Sequence, residues 1–175
     1  GCTRSGVCGK TPEVSDLQDQ LTASLIGLAR AAEGKKPDAA TDALVMQALF
    51  ATVTNVNFDS ARFHAMIRDV RAAAARLGAA AEFNPHDLFH GNPDVVSLRS
   101  TLLFGMRGVA AYAWHAYVLG FEDRAVTEWF YKALRAMAQD HDVPGWLDLV
   151  LECGKVNLAC MAVLDKANTE TYGHP

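Results

Sequence analysis

The chain has 175 residues, of which 50% are hydrophobic and 21% charged, and its net charge is −4. This composition is typical of a globular protein with a sizeable core, and the acidic balance is the opposite of what phosphate-rich nucleic acids attract. The most apolar run, residues 102–119, contains Arg107, His115 and two glycines, so it is predicted to be a buried helix and no membrane partner is expected.

The beginning of the chain and its cysteines indicate a compartment. The first residue is Gly and no export signal follows, which favours a segment cut from a longer protein. Four cysteines at irregular spacing do not form the framework of a secreted disulfide protein. We therefore expect a reducing, cytoplasmic environment.

Two of these cysteines, Cys2 and Cys8, lie in a glycine-rich stretch directly before a helix start. Gly6 and Gly9 allow the backbone to wrap closely around a bulky ligand, and the N–H groups of such a loop stabilise negative sulfur. The pattern is typical of iron–sulfur chemistry. A cluster normally takes four thiolates, so the pair forms half of a cluster motif. The alternative is two free thiols or a disulfide between them.

Helical periodicity continues through the first half. Thr11 and Pro12 signal the start of a helix, Thr41 or Asp42 is expected to cap the second, and Asp59 begins a third that ends near residue 78. The expected core members of this half are Leu21, Leu25, Leu49, Phe50, Phe63 and Met66.

The segment 82–94, with its two prolines, is predicted to be a connecting loop. It carries His86 and His90 four residues apart, but no third ligand is evident, so an ordinary surface loop is favoured over a zinc site.

The second half repeats the design of the first. Residues 17–29 align with 98–110, and the later helices are predicted at 125–137 and from Pro144 towards Ala167. We predict an all-α fold of two consecutive three-helix bundles: residues 1–81 with the cysteine loop, a connection at 82–94, and residues 95–175. The expected core members of the second bundle are Leu102, Leu103, Val109, Phe130, Leu134, Leu147, Leu151 and Met161.

Two further features could carry chemistry. Cys153 and Cys160 are seven residues apart on the last predicted helix, so about 10 Å separates them and core packing is favoured over a disulfide or a metal site. Thr54 and Asn55 belong to a polar stretch that ends an apolar helix, for which capping and turn formation are the default interpretation.

Several motifs together resemble the hybrid cluster protein family, also called hydroxylamine reductases or prismane proteins. They are CTRSGVCGKTPE at residues 2–13, QALFATVTNVN at 47–57, GVAAYA at 108–113 and LDKANT at 164–169. The resemblance extends from Cys2 to Gly173. Family members begin with an additional C-x2-C pair that this chain lacks, and they usually carry a longer insertion where this chain has residues 82–94.

The resemblance implies the N-terminal helical domain of a cytoplasmic iron–sulfur oxidoreductase that reduces hydroxylamine to ammonia, with a role in nitric oxide and nitrosative stress metabolism. It also implies a 4Fe-4S cluster for electron entry, held in the parent by Cys2, Cys8 and the absent pair. A hybrid iron–sulfur–oxygen cluster would lie in the remainder of the parent, with Thr54 and Asn55 lining the cavity over it.

For this chain alone we expect no bound cluster and no catalysis. The expected partners are the remaining domains of the parent enzyme, a redox electron donor and, in an oligomer, further copies of the chain. The expected contact surface includes the loop at residues 2–8 and the turn at 54–57. The alternative is a stand-alone helical module for binding or oligomerisation.

Overall fold

The computed structural model describes residues 4–78 and 81–174. These ranges contain six α-helices and no strand, so the predicted all-α fold is confirmed. The helices are α1 (Pro12–Ala31), α2 (Ala39–Ala51), α3 (Ser60–Arg76), α4 (Pro93–Tyr117), α5 (Arg124–Ala136) and α6 (Val143–Tyr172). A 3-10 helix, Pro85–Phe89, lies within the predicted connecting loop.

Each α-helix begins at a polar residue whose side chain accepts a hydrogen bond from the first turn, which satisfies a backbone donor that has no partner in the helix. The predicted starts at Thr11 and Asp59 are confirmed. The predicted start of α2 is wrong. Asp38 is the cap, with its Oδ1 atom 2.8 Å from the backbone nitrogen of Thr41, and both Thr41 and Asp42 are buried one turn further on.

Within each half, the first and third helices run parallel. The Arg30 guanidinium, near the end of α1, donates to the Ala81 carbonyl just beyond α3, at 3.1 Å. In the second half, the Cys160 thiol of α6 contacts the Val109 carbonyl of α4 at 3.6 Å. The α4–α6 pair therefore repeats the α1–α3 pair, as the internal similarity of the sequence indicates.

The second helix of each half crosses to the other half. The helix α2 packs on α4, where the Phe50 and His115 rings lie 5.3 Å apart between centroids. The helix α5 packs on α1, where the Arg135 guanidinium donates to the Ala29 carbonyl at 3.3 Å. As a result, the buried members of the two predicted sets of core residues belong to one apolar cluster. The division at residues 82–94 stays a prediction.

Most predicted core residues are buried, and Phe50 is partly buried. Three predictions on α6 are wrong, because Leu147, Leu151 and Met161 are 46%, 58% and 44% exposed. The buried residues of α6 recur every seven positions, at Trp146, Cys153, Cys160 and Ala167. Each residue turns an α-helix by about 100°, so the three exposed side chains lie well to the side of that narrow line.

Among the described residues, no helix combines the length and the apolar character needed to cross a bilayer.

Candidate functional site

The cysteine loop precedes α1 and exposes its thiol. Cys8 is exposed and free, whereas Cys2 lies outside the described residues. Two backbone hydrogen bonds fold the loop, from Gly9 N to Gly6 O at 2.9 Å and from Gly6 N to Lys10 O at 2.8 Å. Gly9 has φ of 86°, a conformation that side-chain-bearing residues rarely adopt, so glycine is required directly after Cys8.

A buried cation lies at the base of this loop. Lys10 is only 7% exposed, and its ammonium donates to Gln18 Oε1 at 2.7 Å. An ammonium rarely leaves water without a fixed acceptor, because the loss of hydration is costly. The positive charge is therefore held in place on α1 by Gln18.

A second buried cation reaches the same part of α1 from α4. The Arg107 guanidinium donates to Thr22 Oγ1 at 3.3 Å, and that hydroxyl donates to the Gln18 carbonyl at 2.8 Å. Burial lowers the pKa of Arg107 to about 10. Within the described residues, Arg107 Nε and Gln18 Nε2 are buried without a hydrogen-bond partner.

We call Lys10, Gln18, Thr22 and Arg107 the polar cluster. Its four residues share no motif and Arg107 is far from the other three in the sequence, although Arg107 interrupts an apolar run.

Thr54 and Asn55 are exposed in the turn after α2. The buried hydroxyl of that turn belongs to Thr52, which donates to the Leu49 carbonyl at 2.7 Å. No described contact joins Thr54 or Asn55 to Cys8. Their place beside a parent cluster stays a prediction, as do the metal roles of Cys2 and Cys8.

The other two cysteines belong to the core. Cys153 and Cys160 are 6% and 2% exposed and form no disulfide, which confirms the prediction of core packing. Burial raises the pKa of each thiol to about 11. Both sulfurs are therefore neutral at physiological pH and enclosed by the core, not presented at the surface for a cluster to bind.

The two histidines of the connection are exposed and stack with ring centroids 3.4 Å apart. Across residues 4–78 and 81–174, no group of three His, Cys, Asp or Glu side chains is placed to hold a metal ion. Both imidazoles therefore lie on the surface, as predicted, and the absence of a zinc site stays a prediction.

An exposed apolar surface follows the helices α4 and α6. We call it the α4–α6 face, and its large exposed side chains are Phe104, Tyr112, Leu147, Leu151, Leu158 and Met161. A groove of about 400 Å³ runs between the two helices, lined by Gly105, Gly108 and Tyr112 on one side and Gly154 on the other. A row of large apolar side chains beside a glycine-lined groove is typical of a surface that another polypeptide covers.

Comparison with known proteins gives one consistent result. The chain matches the Prismane/CO dehydrogenase family over residues 1–175. It is 44% identical to a hydroxylamine reductase of Syntrophobacter fumaroxidans, over the whole of this chain and 39% of the relative. It is 43% identical to a hydroxylamine reductase of Solidesulfovibrio magneticus, covering 38% of the relative, and 39% identical to one of Methanosarcina mazei, also covering 38%. The chain thus spans about two fifths of the length of these relatives.

Proposed function

We propose, since the chain belongs to the Prismane/CO dehydrogenase family, that it is the N-terminal helical domain of an iron–sulfur enzyme that reduces hydroxylamine. The observation that carries the proposal is similarity along the whole chain to proteins named hydroxylamine reductase. In the reaction, hydroxylamine takes up two electrons and two protons, its N–O bond breaks, and ammonia and water form. Nitric oxide and nitrosative stress metabolism is the proposed context, and the cytoplasm the proposed location.

The role that we propose for this domain is electron entry. A 4Fe-4S cluster, when bound, accepts and passes on single electrons. The residues present fit half of its ligand set: Cys8 is an exposed thiol in a glycine-folded loop, and Cys2 precedes it by six residues. The neutral, buried Cys153 and Cys160 do not fit the other half. Two further thiolates must come from elsewhere in the parent.

The polar cluster supports this role. Lys10 places a fixed positive charge beside the loop, and Arg107 places another on the same side of α1. Positive charge and hydrogen-bond donors near a thiolate-bound group stabilise its more reduced, more negative form. Lys10, whose backbone belongs to the loop, would favour electron uptake there, whereas Arg107 acts at Thr22, about three turns further along α1.

The remainder of the parent would cover the α4–α6 face. Leu151 and Leu158 are 58% and 69% exposed on the outer side of α6, and about three fifths of the relative's length lies outside the matched region. Burying apolar surface stabilises an interface by about 25 cal/mol per Å². The exposed loop around Cys8 and the exposed turn at 54–56 complete the proposed contact surface, and a redox protein would supply the electrons.

A chimera tests the proposal. In the Syntrophobacter fumaroxidans relative, the matched two fifths are replaced by this chain, and hydroxylamine-dependent oxidation of a reduced dye, ammonia, iron and acid-labile sulfide are measured. We expect Cys8→Ser to lower both turnover and iron content, and Cys153→Ala to leave both near those of the parent chimera. Full turnover and full iron content in Cys8→Ser would refute the electron-entry role.

The α4–α6 face also fits the alternative of a stand-alone oligomerisation module. Sedimentation of this chain distinguishes the enzyme domain from the stand-alone module. The variants Leu151→Glu and Leu158→Glu place negative charges on the α4–α6 face. A stable oligomer that these variants dissociate, together with an inactive but soluble chimera, would favour the module. Anaerobic reconstitution is a second check, because four irons per chain that are lost in Cys8→Ser would contradict a half-complete ligand set.

A further inference from the structure

A second concave surface lies between the connection from α1 to α2 and the helix α5, which lines it from Arg124 to Arg135. We call it the cationic cleft. Its volume is about 580 Å³, within the range of about 300–1,000 Å³ that small-molecule sites occupy. Its lining includes four basic side chains, Lys35, Lys36, Arg124 and Arg135.

The charge balance of the cleft is opposite to that of the chain. The net charge of the whole chain is −4, yet the cleft has four cations and one lining carboxylate, Glu128. A second carboxylate, Asp42, is buried and accepts from Arg124 at 2.6 Å and from the Tyr131 hydroxyl at 2.8 Å. Both carboxylates contact Arg124, and Asp38 acts electrostatically on Tyr131, so the excess of positive charge is small and rests on the other three cations.

Neutral carbonyl groups hold two of these three cations. Lys35 donates to the carbonyls of Ala31 and Leu77, and Arg135 donates to the Ala29 carbonyl. Carbonyl groups at helix ends orient a cation without cancelling its formal charge. Lys36 is exposed at the rim. Arg135 is therefore already positioned on α5, which lowers the entropy lost on binding, whereas the Lys35 ammonium is engaged at the end of α3 and must turn to reach an anion.

We propose that the cationic cleft binds a small phosphate-bearing anion of the diphosphate class. Arginine and lysine together suit phosphate, because guanidinium offers paired donors and ammonium a compact point charge. The concave shape favours a small molecule over the flat acidic surface of a protein. This inference does not depend on the iron–sulfur role.

Titration calorimetry on the full chain tests it, with pyrophosphate and ADP as probes in ~20 mM and ~500 mM NaCl. We expect binding at low salt, weakened by about fivefold or more in Lys36→Gln and lost at high salt. The matched control is Lys132→Gln on α5, where Lys132 pairs with Glu152 at 2.6 Å and does not line the cleft; it should change affinity by less than about twofold.

Three outcomes would overturn the proposal. They are the absence of binding by either probe at low salt, equal losses in Lys36→Gln and Lys132→Gln, and tighter binding of an acidic peptide than of pyrophosphate. Lys36 has an exposed side chain, so its variant should fold, which circular dichroism can confirm. A stronger variant, Arg135→Gln, should abolish binding, and persistence of tight binding there would also count against the cleft.

Discussion

The two halves of the molecule share one design but differ in how their helices are covered. In α1, 13 of 20 residues are buried, since α3 and α5 pack against it from different sides. In α6, only four of 30 residues are buried, along a single line that faces α4. A helix of the second half thus covers the apolar residues of α1, whereas no described helix covers the apolar residues on the outer side of α6. A repeated sequence pattern does not impose equal burial, because burial depends on the neighbours that each copy acquires.

The largest expected change in stability comes from comparing a core residue of α3 with an exposed residue of α6. Phe63 is fully buried, and Phe63→Ala should lower the free energy of unfolding by about 3–5 kcal/mol through lost burial and a cavity. Leu158 is 69% exposed, and Leu158→Ala should change the free energy of unfolding by less than about 0.5 kcal/mol.

Urea unfolding followed by circular dichroism measures both. A loss above about 2 kcal/mol in Leu158→Ala would mean that the α4–α6 face is covered in the isolated chain, which sedimentation would reveal as self-association.

The second test uses the buried thiols, both of which lie in the second half. Burial raises the pKa of Cys153 and of Cys160 from 9.0 to about 11. Between these two pH values, each thiol stays protonated in the folded chain but is already ionised in the unfolded chain. Stability is therefore full below pH 9 and falls towards pH 11, by about 1–3 kcal/mol per thiol.

Chemical unfolding from pH 7 to 11 should show this loss, and Cys153→Ala combined with Cys160→Ala should reduce its slope. An unchanged slope in the double variant would assign the alkaline loss to other groups. At pH 8 a thiol reagent should modify Cys8 rapidly and the two buried thiols only on unfolding.

The third test compares equivalent glycines. Gly105 faces Cys153, and an added Cβ would lie 2.8 Å from its sulfur, whereas Gly27 in α1 and Gly108 in α4 have no atom within 4 Å of such a Cβ. Gly27→Ala and Gly108→Ala should stabilise by about 0.5–1 kcal/mol, because alanine favours the helix. Gly105→Ala should instead destabilise by about 1 kcal/mol through overpacking.

Removing the sulfur should reverse that sign. In a Cys153→Ala background, Gly105→Ala becomes stabilising, and a double-mutant cycle of thermal or urea unfolding measures the coupling. Simple additivity of the two substitutions would show that α4 and α6 are not in close contact at this point.

The smallest expected effect concerns Arg107, which links the halves through Thr22. Its guanidinium is buried, has a lowered pKa of about 10, lies 5.6 Å from the Phe104 ring centroid and, among the described residues, makes one hydrogen bond at 3.3 Å. Arg107→Met keeps the volume and removes a poorly satisfied charge, so stability should change by less than about 1 kcal/mol, or rise. If the free energy of unfolding in urea fell by more than about 3 kcal/mol, Arg107 would instead be essential for the contact between α4 and α1.

Local signals in the sequence predict much of the fold. Helical spacing of leucines predicts the buried side of α1, and the cap at Asp59 predicts the start of α3, because both depend on residues close in the chain. Helical spacing also predicts that Leu147 and Leu151 of α6 belong to the core, although both are exposed. Their spacing indicates a side that must be covered, but it does not say which polypeptide covers it.

The candidate site was predicted only where the residue type itself carries chemistry. Cys8 stands out in any sequence, and the structure exposes it in a folded loop. Lys10 and Arg107 did not stand out, because cations are usually on the surface and only the tertiary packing buries them. Cys2 lies outside the described residues, so its position relative to Cys8 stays a prediction.

The crossing of α2 and α5 has a consequence during synthesis. A ribosome completes α2 before α4, the helix on which α2 packs, has been made. At a synthesis rate of about 5–20 residues per second, the apolar side of α2 stays uncovered for several seconds until α4 has been made. We therefore expect a chaperone that shields α2 until α4 has been synthesised to raise the yield of folded chain.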